Sequence, residues 1–555
     1  MKNSRTKDFY FFLTLCLIAF HITANVIWLS LNNLPPPTDA ALHSTLSIRF
    51  QDYFLYHLTD FSIYQFLTIT NYYPPVLHVF GALIGFVSPY NYKIIQLTGT
   101  IFFALSMIFL YLYTKVKTNN GFVAFLSVFF FGFFFYIFKE SHDHMTDIPL
   151  IASFLAGIYF LNASSGFMKR KNTILFFVCF AIASLVKWTA PVFFIVPFIF
   201  EMKNIFKNLF SDQNTWRNIG IGISLALLLV SPWYFINFEN IVRVGKVAAT
   251  AGLDNPTNLL SLESIIFYPH LIIIFQLSFL GFIFLLLSLI PNLLYLRKKF
   301  FWEIICLIVF CYSLFTFFLP DKNIRLLFPI MPFFAILLGH GAFLFLKKYR
   351  FGVPLVAILM GYYFLSYFIL SFGIPFAPQY KYAVQFPVIG WLDIYYWHHE
   401  PASALFDRTD WKNEDAARSL NDTRVEERKT MYFINVEKPY FNASTIHSYL
   451  YKINKGIPIS LQEADANFQY ILKGNDQFKT LREIDDYVNL IDILFIPEKE
   501  IGPVQAIRDR IPRKQIQDYM LNNVNPNFVR TQVIKLPDGD TIFVYKRRME
   551  IVNEN

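Results

Sequence analysis

The stretch PHLIIIFQLSFLGFIFLLLSLIPNLLYL, residues 269–296, contains no Asp, Glu, Lys or Arg, and RKK at 297–299 follows it directly. About 20 apolar residues in a helix are enough to cross the hydrocarbon core of a bilayer. A stretch of this length without charge therefore predicts a membrane-spanning helix. The three cations predict that this end faces the cytoplasm, because cytoplasmic loops carry an excess of Lys and Arg.

Similar apolar segments recur along much of the 555-residue chain. The first follows the basic start MKNSRTK and has no small-residue cleavage site after a short apolar core, which indicates a retained signal anchor. We predict about eleven spanning helices, at 8–31, 93–114, 121–138, 148–165, 172–187, 189–201, 218–236, 269–296, 302–319, 326–346 and 353–372.

The composition supports a membrane protein and excludes several other classes. Hydrophobic residues make up 55% of the chain and charged residues 16%, whereas soluble globular proteins carry about 25% charged residues. Residues 1–375 hold 25 basic and 14 acidic residues, and residues 376–555 hold 23 and 25. A cationic excess in the apolar part is typical of the positive-inside rule and not of nucleic-acid binding. The four Cys lie inside apolar runs, which excludes a disulfide framework.

The loop charges predict the orientation. With the N-terminus in the cytoplasm, the basic clusters between spans all fall on the cytoplasmic side: 115–117, 169–171, 203–217, 297–299 and 347–350. We therefore expect a multi-pass protein of the plasma (inner) membrane whose C-terminal domain lies outside the cytoplasm. The outer loops would then be 32–92, 139–147, 237–268 and 320–325.

The first outer loop, residues 32–92, carries its own helical signals. Three prolines precede Thr38, which is typical of a helix start. Apolar residues then recur every four positions, and this stripe predicts an amphipathic helix on the membrane surface. The stripe consists of Leu42, Leu46, Phe50 and Phe54. Residues 76–87 are apolar but too few to cross the bilayer, so we expect an interfacial or re-entrant segment.

Residues 376–555 are expected to form a small α/β domain outside the cytoplasm, separate from a membrane domain at 1–375. The domain begins with Trp391, Tyr395, Tyr396 and Trp397, a composition that suits a membrane interface. MYFINV (431–436), FQYILK (468–473) and DILFIP (492–497) read as strands, and 501–523 reads as a helix. VIKLPDGDTIFVYKR (533–547) predicts a hairpin that turns at Asp538–Gly539.

Ionisable residues at membrane depth are costly to bury and therefore indicate function. Asp39 and Asp147 could each be a structural carboxylate at the start of a helix, where the helix dipole favours a negative charge. Alternatively, they could act in chemistry, Asp39 as a general base and Asp147 as a group that orients an acceptor. Lys187 could snorkel to the interface or bind an anionic head group. Lys322 and Arg325 could pair with Asp321 or bind a phosphate, for which Arg has suitable paired donors.

The loop KESHDHMTD, residues 139–147, also contains the pair His142 and His144. A His-x-His pair could ligate a metal, but no further ligand lies at an obvious spacing, so the sequence favours a solvated loop. The sequence contains no phosphate loop, no GxGxxG after a strand, no HExxH and no GxSxG. This disfavours an ATP-driven pump and the hydrolases that those motifs mark.

An ordered set of motifs resembles the polyprenyl-phosphate-dependent membrane glycosyltransferases of the GT-C fold. The family most similar in these motifs comprises the protein O-mannosyltransferases and the bacterial lipid A aminoarabinose transferases. The matching pieces are Asp39 after the first span, YPPVLHVFGAL, MTDIPLIASFLAGIYFL, LVKWTAP, SPWYFIN and KNIRLLFPIMPFFAILLG, in order from residue 8 to about 350.

The resemblance implies an all-α GT-C membrane protein with a small C-terminal α/β domain. It implies a donor sugar on a polyprenyl phosphate, an acceptor hydroxyl on a lipid, glycan or protein, and inversion at the anomeric carbon. Asp39 matches the carboxylate assigned as base, and Asp147 matches the acid of the second outer loop. Lys322, Arg325 and, less closely, Lys187 match basic positions near the donor phosphate. Tyr73, His142 and His144 are the loop residues expected near the acceptor.

Two departures from the family pattern bear on the chemistry. Many members have two adjacent acids in the first loop, whereas Ala40 follows Asp39 here, which leaves a divalent cation possible but no cofactor assigned. The residue before the proline pair is often basic, and here it is Tyr73. The phosphate role would therefore pass to the later cations.

Other functions share the apolar spans and isolated charges. The main alternative is a transporter or flippase of lipid-linked glycans, and others are a glycan polymerase and an adaptor whose tail binds a partner. Secondary transporters often contain paired repeats with broken helices near the midplane. No such repeat is visible in the sequence, and the polar residues cluster on one predicted face, which favours the transferase.

Overall fold

The computed structural model describes most of the chain. The described residues are 2–250, 259–319, 322–373, 381–386, 390–396, 405–422, 429–454, 461–463, 477–502, 507–523 and 525–548. Asp321, Trp397 and the strand predicted at 468–473 lie outside these ranges.

Helices dominate the chain up to residue 372. In order they are α1 (Lys2–Leu31), α2 (Thr38–Tyr56), α3 (Ile63–Thr68), α4 (Val76–Gly85), α5 (Tyr92–Thr118), α6 (Gly121–Gly132), α7 (Phe135–Ser141), α8 (Asp147–Ala163), α9 (Arg170–Val186), α10 (Ala190–Ser211), α11 (Gln213–Thr250), α12 (Leu262–Ile272), α13 (Ser278–Tyr295), α14 (Lys298–Phe317), α15 (Met331–Lys348) and α16 (Gly352–Phe372). A π-helical turn (Ile273–Leu277) joins α12 to α13, and a 3-10 helix (Ile324–Ile330) leads into α15. Helix is favoured in apolar runs because it satisfies its own backbone hydrogen bonds, which lipid cannot do.

All eleven predicted spans fall on helices, but not all of these helices are long. In the described part, seven segments are long and apolar enough to cross a membrane, and α6 with α7 would make an eighth, bent by 74°. Helices α8 and α9 have 17 residues each, and α10 carries three charged residues in its second half. A mostly helical protein with many apolar spans is confirmed, but seven or eight segments of the described part meet the requirements of length and composition, where eleven were predicted. The predicted spans at α8, α9 and α10 are not among them.

The chain divides into two compact units. The first contains Met1–Leu31, Phe61–Gly81 and Gln96–Phe406. The second contains Asn32–Asp60, Ala82–Ile95 and Asp407–Asn555, and thus joins the tail to parts of the predicted first outer loop.

Aromatic side chains fill the core of the first unit. Phe130, Phe131 and Phe328 are completely buried there. Helices α6 and α15 approach closely, since a Cβ added at Gly339 would lie 2.6 Å from the backbone nitrogen of Ser127. A small residue at such a contact is typical of membrane helices, which associate by close packing.

The second unit contains a five-stranded sheet. The strands of the chain are β1 (Lys381–Phe386), β2 (Gly390–Tyr396), β3 (Thr430–Ile434), β4 (Glu437–Lys438), β5 (Phe441–Asn442), β6 (Leu461–Glu463), β7 (Ile493–Pro497), β8 (Phe528–Lys535) and β9 (Thr541–Arg547). The sheet order is β6-β3-β7-β9-β8, with β6, β3 and β7 parallel and the last two strands antiparallel. Helices α17 (Asn413–Asn421), α18 (Ala443–Asn454), α19 (Leu481–Val488) and α20 (Ile507–Asn522) complete the unit. The predicted small α/β domain is confirmed.

Local predictions in the tail agree with these elements. Strands β3 and β7 cover two of the predicted strands, and α20 falls within the predicted helix 501–523. The hairpin β8–β9 turns at Asp538–Gly539, where Gly539 has φ of +81°. Glycine adopts this left-handed conformation without the steric cost that a Cβ would add. The Trp- and Tyr-rich start of the tail forms the antiparallel pair β1–β2.

Helix α2 is present as predicted, but its stripe is buried in protein. Leu46 and Phe50 are buried, and α2 packs against α18 of the same unit. Ile48, on another face of α2, packs with Tyr451 of α18. The sequence pattern does not reveal this contact, because a period of four residues does not record a protein partner as distant in sequence as α18. That α2 lies on a membrane surface stays a prediction. The short apolar segment at 76–87 forms helix α4.

Candidate functional site

An ion pair joins two of the predicted site residues. The Lys187 Nζ donates to Asp147 Oδ1 at 2.7 Å. The side chain of Asp147 is 1% exposed and that of Lys187 is 19% exposed. A buried carboxylate needs such a partner, since taking an unpaired charge out of water is costly.

Helix ends position both members of the pair. Asp147 lies in the first turn of α8, where the helix dipole favours a negative charge. Lys187 has extended backbone angles, φ −151° and ψ 129°, and separates α9 from α10. Pro191 stands in the first turn of α10, a place that proline favours because its missing N–H is not needed there. The sequence WTAP after Lys187 thus explains why α9 ends at this cation.

The loop between α7 and α8, residues 142–146, is held by two other helices. Asn25 of α1 donates to Thr100 Oγ1 at 3.1 Å and to Ser141 Oγ at 2.9 Å. Helix α5 passes so close that a Cβ at Gly99 would lie 2.6 Å from the carbonyl oxygen of Asp143. The backbone of this loop therefore has little room to shift, which is what a preorganised site requires.

The two loop histidines have different surroundings. The ring of His142 lies 3.8 Å from that of Trp28, centroid to centroid. The ring of His144 lies 6.4 Å from that of His78 in α4. Burial lowers the pKa of His142 to about 3 and that of His144 well below its usual value, so both are uncharged at neutral pH.

These surroundings correct the prediction of a solvated loop. His142, Asp143, His144 and Asp147 are all buried. Among the described residues, no group of three or more His, Cys, Asp or Glu side chains could hold a metal ion. The sequence reasoning also missed His78, whose ring lies 6.3 Å from that of the predicted loop residue Tyr73. The sequence feature that could have indicated His78 is its place as a polar residue within the apolar run VLHVF, which directly follows the proline pair.

Lys322 and Arg325, the two cations before α15, make different contacts. Lys322 Nζ donates to the Thr316 carbonyl at 2.6 Å, in the last turn of α14, where a cation also complements the helix dipole. Arg325 lies beside the loop, with Nη1 3.9 Å from the sulfur of Met145. Asn323 caps the 3-10 helix and accepts from the Arg325 backbone N–H at 3.0 Å. Arg325 is thus placed next to the buried loop, and Lys322 donates to a carbonyl at the C-terminal end of α14.

Charges of both signs surround Arg325. Lys139 Nζ lies 3.9 Å from Glu140 Oε1 and 4.7 Å from the ring centre of Tyr136. Burial raises the pKa of the Asp143 carboxyl, and the positive charges of Lys139 and Arg325 act in the opposite direction.

Asp39 lies in the first turn of α2 and is partly exposed. It belongs to the second unit, whereas the other predicted site residues belong to the first. Pro37 precedes the helix with φ −67° and ψ 160° and supplies no side-chain cap. The structure therefore places Asp147, Lys187, Arg325 and the loop histidines in one unit, and it places Asp39 at a helix start in the other.

Comparisons with solved structures identify the fold, although no protein-family model and no curated protein matches the sequence. ArnT from Cupriavidus metallidurans bound to undecaprenyl phosphate aligns with a TM-score of 0.59 at 11% identity, over 96% of this chain and 97% of that chain. The apo state of ArnT gives 0.54 at 11% identity over the same shares. Arabinofuranosyltransferase AftD from mycobacteria gives 0.53 at 10% identity, over 96% of this chain and 40% of that chain.

These similarities extend over nearly the whole chain. With identities of 10–11% they concern the fold alone. The chain has the GT-C fold, with many apolar helices followed by a small α/β part.

Proposed function

We propose that this chain, which has the GT-C fold, is an integral membrane glycosyltransferase. It moves a sugar from a polyprenyl-phosphate donor to a hydroxyl group of a lipid, glycan or protein, with inversion at the anomeric carbon. One observation carries the proposal: the fold is shared over 96% of the chain with a protein whose structure contains undecaprenyl phosphate. Under the same proposal the N-terminus is cytoplasmic and the α/β domain lies outside the cytoplasm.

The leaving group determines what the site must supply. A sugar on a polyprenyl phosphodiester leaves as a phosphate monoester, so negative charge develops on the phosphate and fixed cations lower the barrier. Arg325 fits this role because its guanidinium offers paired donors and lies beside the buried loop. Lys187 contributes less, since Asp147 already neutralises its charge. Lys322 supports the end of α14 and holds the segment that carries Arg325.

The acceptor hydroxyl needs a base. Asp39 is proposed as this base, which takes the proton while the hydroxyl attacks the anomeric carbon. Asp147 is proposed to fix Lys187. His142, whose ring lies 3.8 Å from that of Trp28, is proposed to position the loop rather than the acceptor. Tyr73 and His144 are the residues proposed near the acceptor. No step is assigned to a divalent cation.

A transfer assay with purified full-length protein tests the proposal. The protein is incubated with radiolabelled sugars on undecaprenyl phosphate and with lipid, glycan and peptide acceptors, in the absence of nucleotide sugars. We expect labelled acceptor with at least one pair. Movement of the labelled lipid across a vesicle bilayer without any transfer would support a flippase and contradict the proposal.

The base is tested with Asp39→Asn. We expect transfer to fall by about 100-fold or more, since a positioned general base contributes at least that much, while the unfolding midpoint stays unchanged. Asp60→Asn is the matched control, because Asp60 is an exposed acid of the same predicted outer loop. Equal transfer by the Asp39 and Asp60 variants would remove Asp39 as the base.

A further inference from the structure

A second charged cluster lies at the other end of helix α8. Asp147 begins α8, and the turn after its last residue, Ala163, helps to line a cavity of about 500 Å³. Seventeen residues at about 1.5 Å each separate the two ends by roughly 25 Å. The positive-inside rule predicts that the cavity end faces the cytoplasm, because basic clusters flank it.

The two acids of the cavity are already neutralised. Glu303 accepts from the Tyr113 hydroxyl at 2.9 Å and from Lys117 Nζ at 2.8 Å. Glu201 accepts from Lys299 Nζ at 3.1 Å and from the Asn204 amide at 2.7 Å. Each carboxylate thus has a donor on both oxygens, so neither is free to attract a cationic ligand.

The cations outnumber the acids. Lys207 and Arg297 also line the cavity, and they make no ion pair with any described residue. Four basic side chains therefore stand against two acids, both of which are satisfied. The N–H donors of Lys207 and Arg297 favour an anion with several acceptor oxygens. A phosphate group is such an anion.

The wall of the cavity is shaped by a tight turn. Ser165, Gly166 and Phe167 all have positive φ, of 53°, 68° and 69°. The Asn208 amide donates to the Ser165 and Gly166 carbonyls at 2.8 and 3.0 Å, so these carbonyls are occupied. A Cβ at Gly166 would lie 2.5 Å from the Asn208 amide nitrogen, which explains the glycine.

Exposed aromatic side chains on the helix segments that carry the cavity are typical of the level of lipid head groups. Phe206 and Phe210 on α10 are 48% and 88% exposed, and Trp302 on α14 is 44% exposed. They stand on the same helix segments as Lys207 and Lys299. Aromatic residues next to cations are typical of a membrane interface, and basic pockets between helices on this side bind anionic head groups.

We propose that this cavity binds the phosphate head group of an anionic phospholipid, at the end of the helical unit opposite Asp147. The proposal rests on the charges of the cavity and is independent of the glycosyltransferase assignment. Arg297 and Lys207 hold the phosphate oxygens, and the paired acids keep Lys117 and Lys299 in place.

Lipid titration of the full-length protein tests this. Delipidated protein in neutral detergent is titrated with dioctanoyl phosphatidylglycerol, and bound lipid is counted by native mass spectrometry. The test variant is Lys207→Gln with Arg297→Gln, and the charge-matched control is Lys171→Gln with Arg350→Gln, two exposed cations that do not line the cavity. We expect about 10- to 30-fold weaker binding in the test variant only, with unchanged unfolding midpoints.

Two further ligands separate the possible sources of the phosphate. Dioctanoyl phosphatidylcholine carries no net charge, and glycerol phosphate carries the phosphate without acyl chains. Weak binding of both supports the lipid proposal. An equal loss of phosphatidylglycerol binding in the test and control variants would overturn it. So would glycerol phosphate binding as tight as that of the lipid and equally dependent on Lys207 and Arg297, because the ligand would then be a soluble phosphate.

Discussion

The two charged clusters of the helical unit differ in how their acids are satisfied. At one end of α8, Asp147 has one ion pair, to Lys187, and Arg325 lies close by with its guanidinium next to a sulfur atom. At the other end, Glu201 and Glu303 each accept from two different side chains. A saturated network stabilises a fold, whereas Arg325 lies beside the buried loop where the donor phosphate is proposed to bind. We therefore expect the first cluster to act in transfer and the second to act in stability and lipid binding.

Within these two clusters, the largest effect is expected for Asp147→Asn. The substitution leaves Lys187 without its carboxylate, and breaking a buried pair costs about 3 kcal/mol or somewhat less here, since Lys187 is partly exposed. We expect at least a 100-fold loss of transfer and a lower unfolding midpoint in detergent.

The double variant Asp147→Asn with Lys187→Gln separates stability from function. It removes both charges, so we expect most of the stability to return while transfer stays low. Recovery of both transfer and stability would show that the ion pair is only structural. The two ends of α8 would then not differ in function.

The next largest effect is expected for Gly99→Ala. The added Cβ would lie 2.6 Å from the Asp143 carbonyl, so the loop must shift, at a cost of about 1–3 kcal/mol. We expect transfer to fall about tenfold or more, measured per folded protein. Gly220→Ala is the control, because a Cβ at this helical glycine meets no atom within 4 Å. An unchanged transfer rate in the Gly99 variant would mean that the loop position does not matter.

A smaller effect, confined to stability, is expected for Glu303→Gln. Lys117 would keep only Glu201, at 3.9 Å, and the Tyr113 hydroxyl would lose a charged acceptor. We expect about 2 kcal/mol less stability by thermal unfolding and normal transfer by the folded fraction. Loss of transfer without loss of stability would assign chemistry to the cavity end.

The smallest effect is expected for Lys299→Gln. The side chain of Lys299 is 55% exposed, and exposed ion pairs contribute less than about 1 kcal/mol. We expect a shift of the unfolding midpoint at the limit of measurement and no change in transfer. A shift as large as that of Glu303→Gln would show that all members of the network act as one unit.

Much of the fold could be predicted from the sequence. The apolar segments, the break at Lys187 between α9 and α10 and the hairpin at Asp538–Gly539 all follow from local composition. Each depends on residues within one helix or turn, whose preferences act over short distances.

The candidate site was only partly predictable. Lys187 was identified as a polar residue between two apolar halves, but its partner Asp147 is 40 residues away. The sequence does not predict the network of Lys117, Glu201, Lys299 and Glu303, because the two lysines count there as cytoplasmic loop charges and the two acids fall inside predicted spans. Its bonds join residues up to 186 positions apart, and no periodic pattern records such a contact. Asp39 as the base stays a prediction.

The sequence by itself determined that the chain is built of apolar helices followed by a small α/β part. The reason is that the free energy of transferring each side chain from water to an apolar environment can be summed over the residues of one segment. Only the tertiary structure decided which charges are paired and which remain available, and that α2 is covered by α18. Those outcomes depend on how segments far apart in the sequence pack together. The distances between their side chains cannot be read from the order of residues.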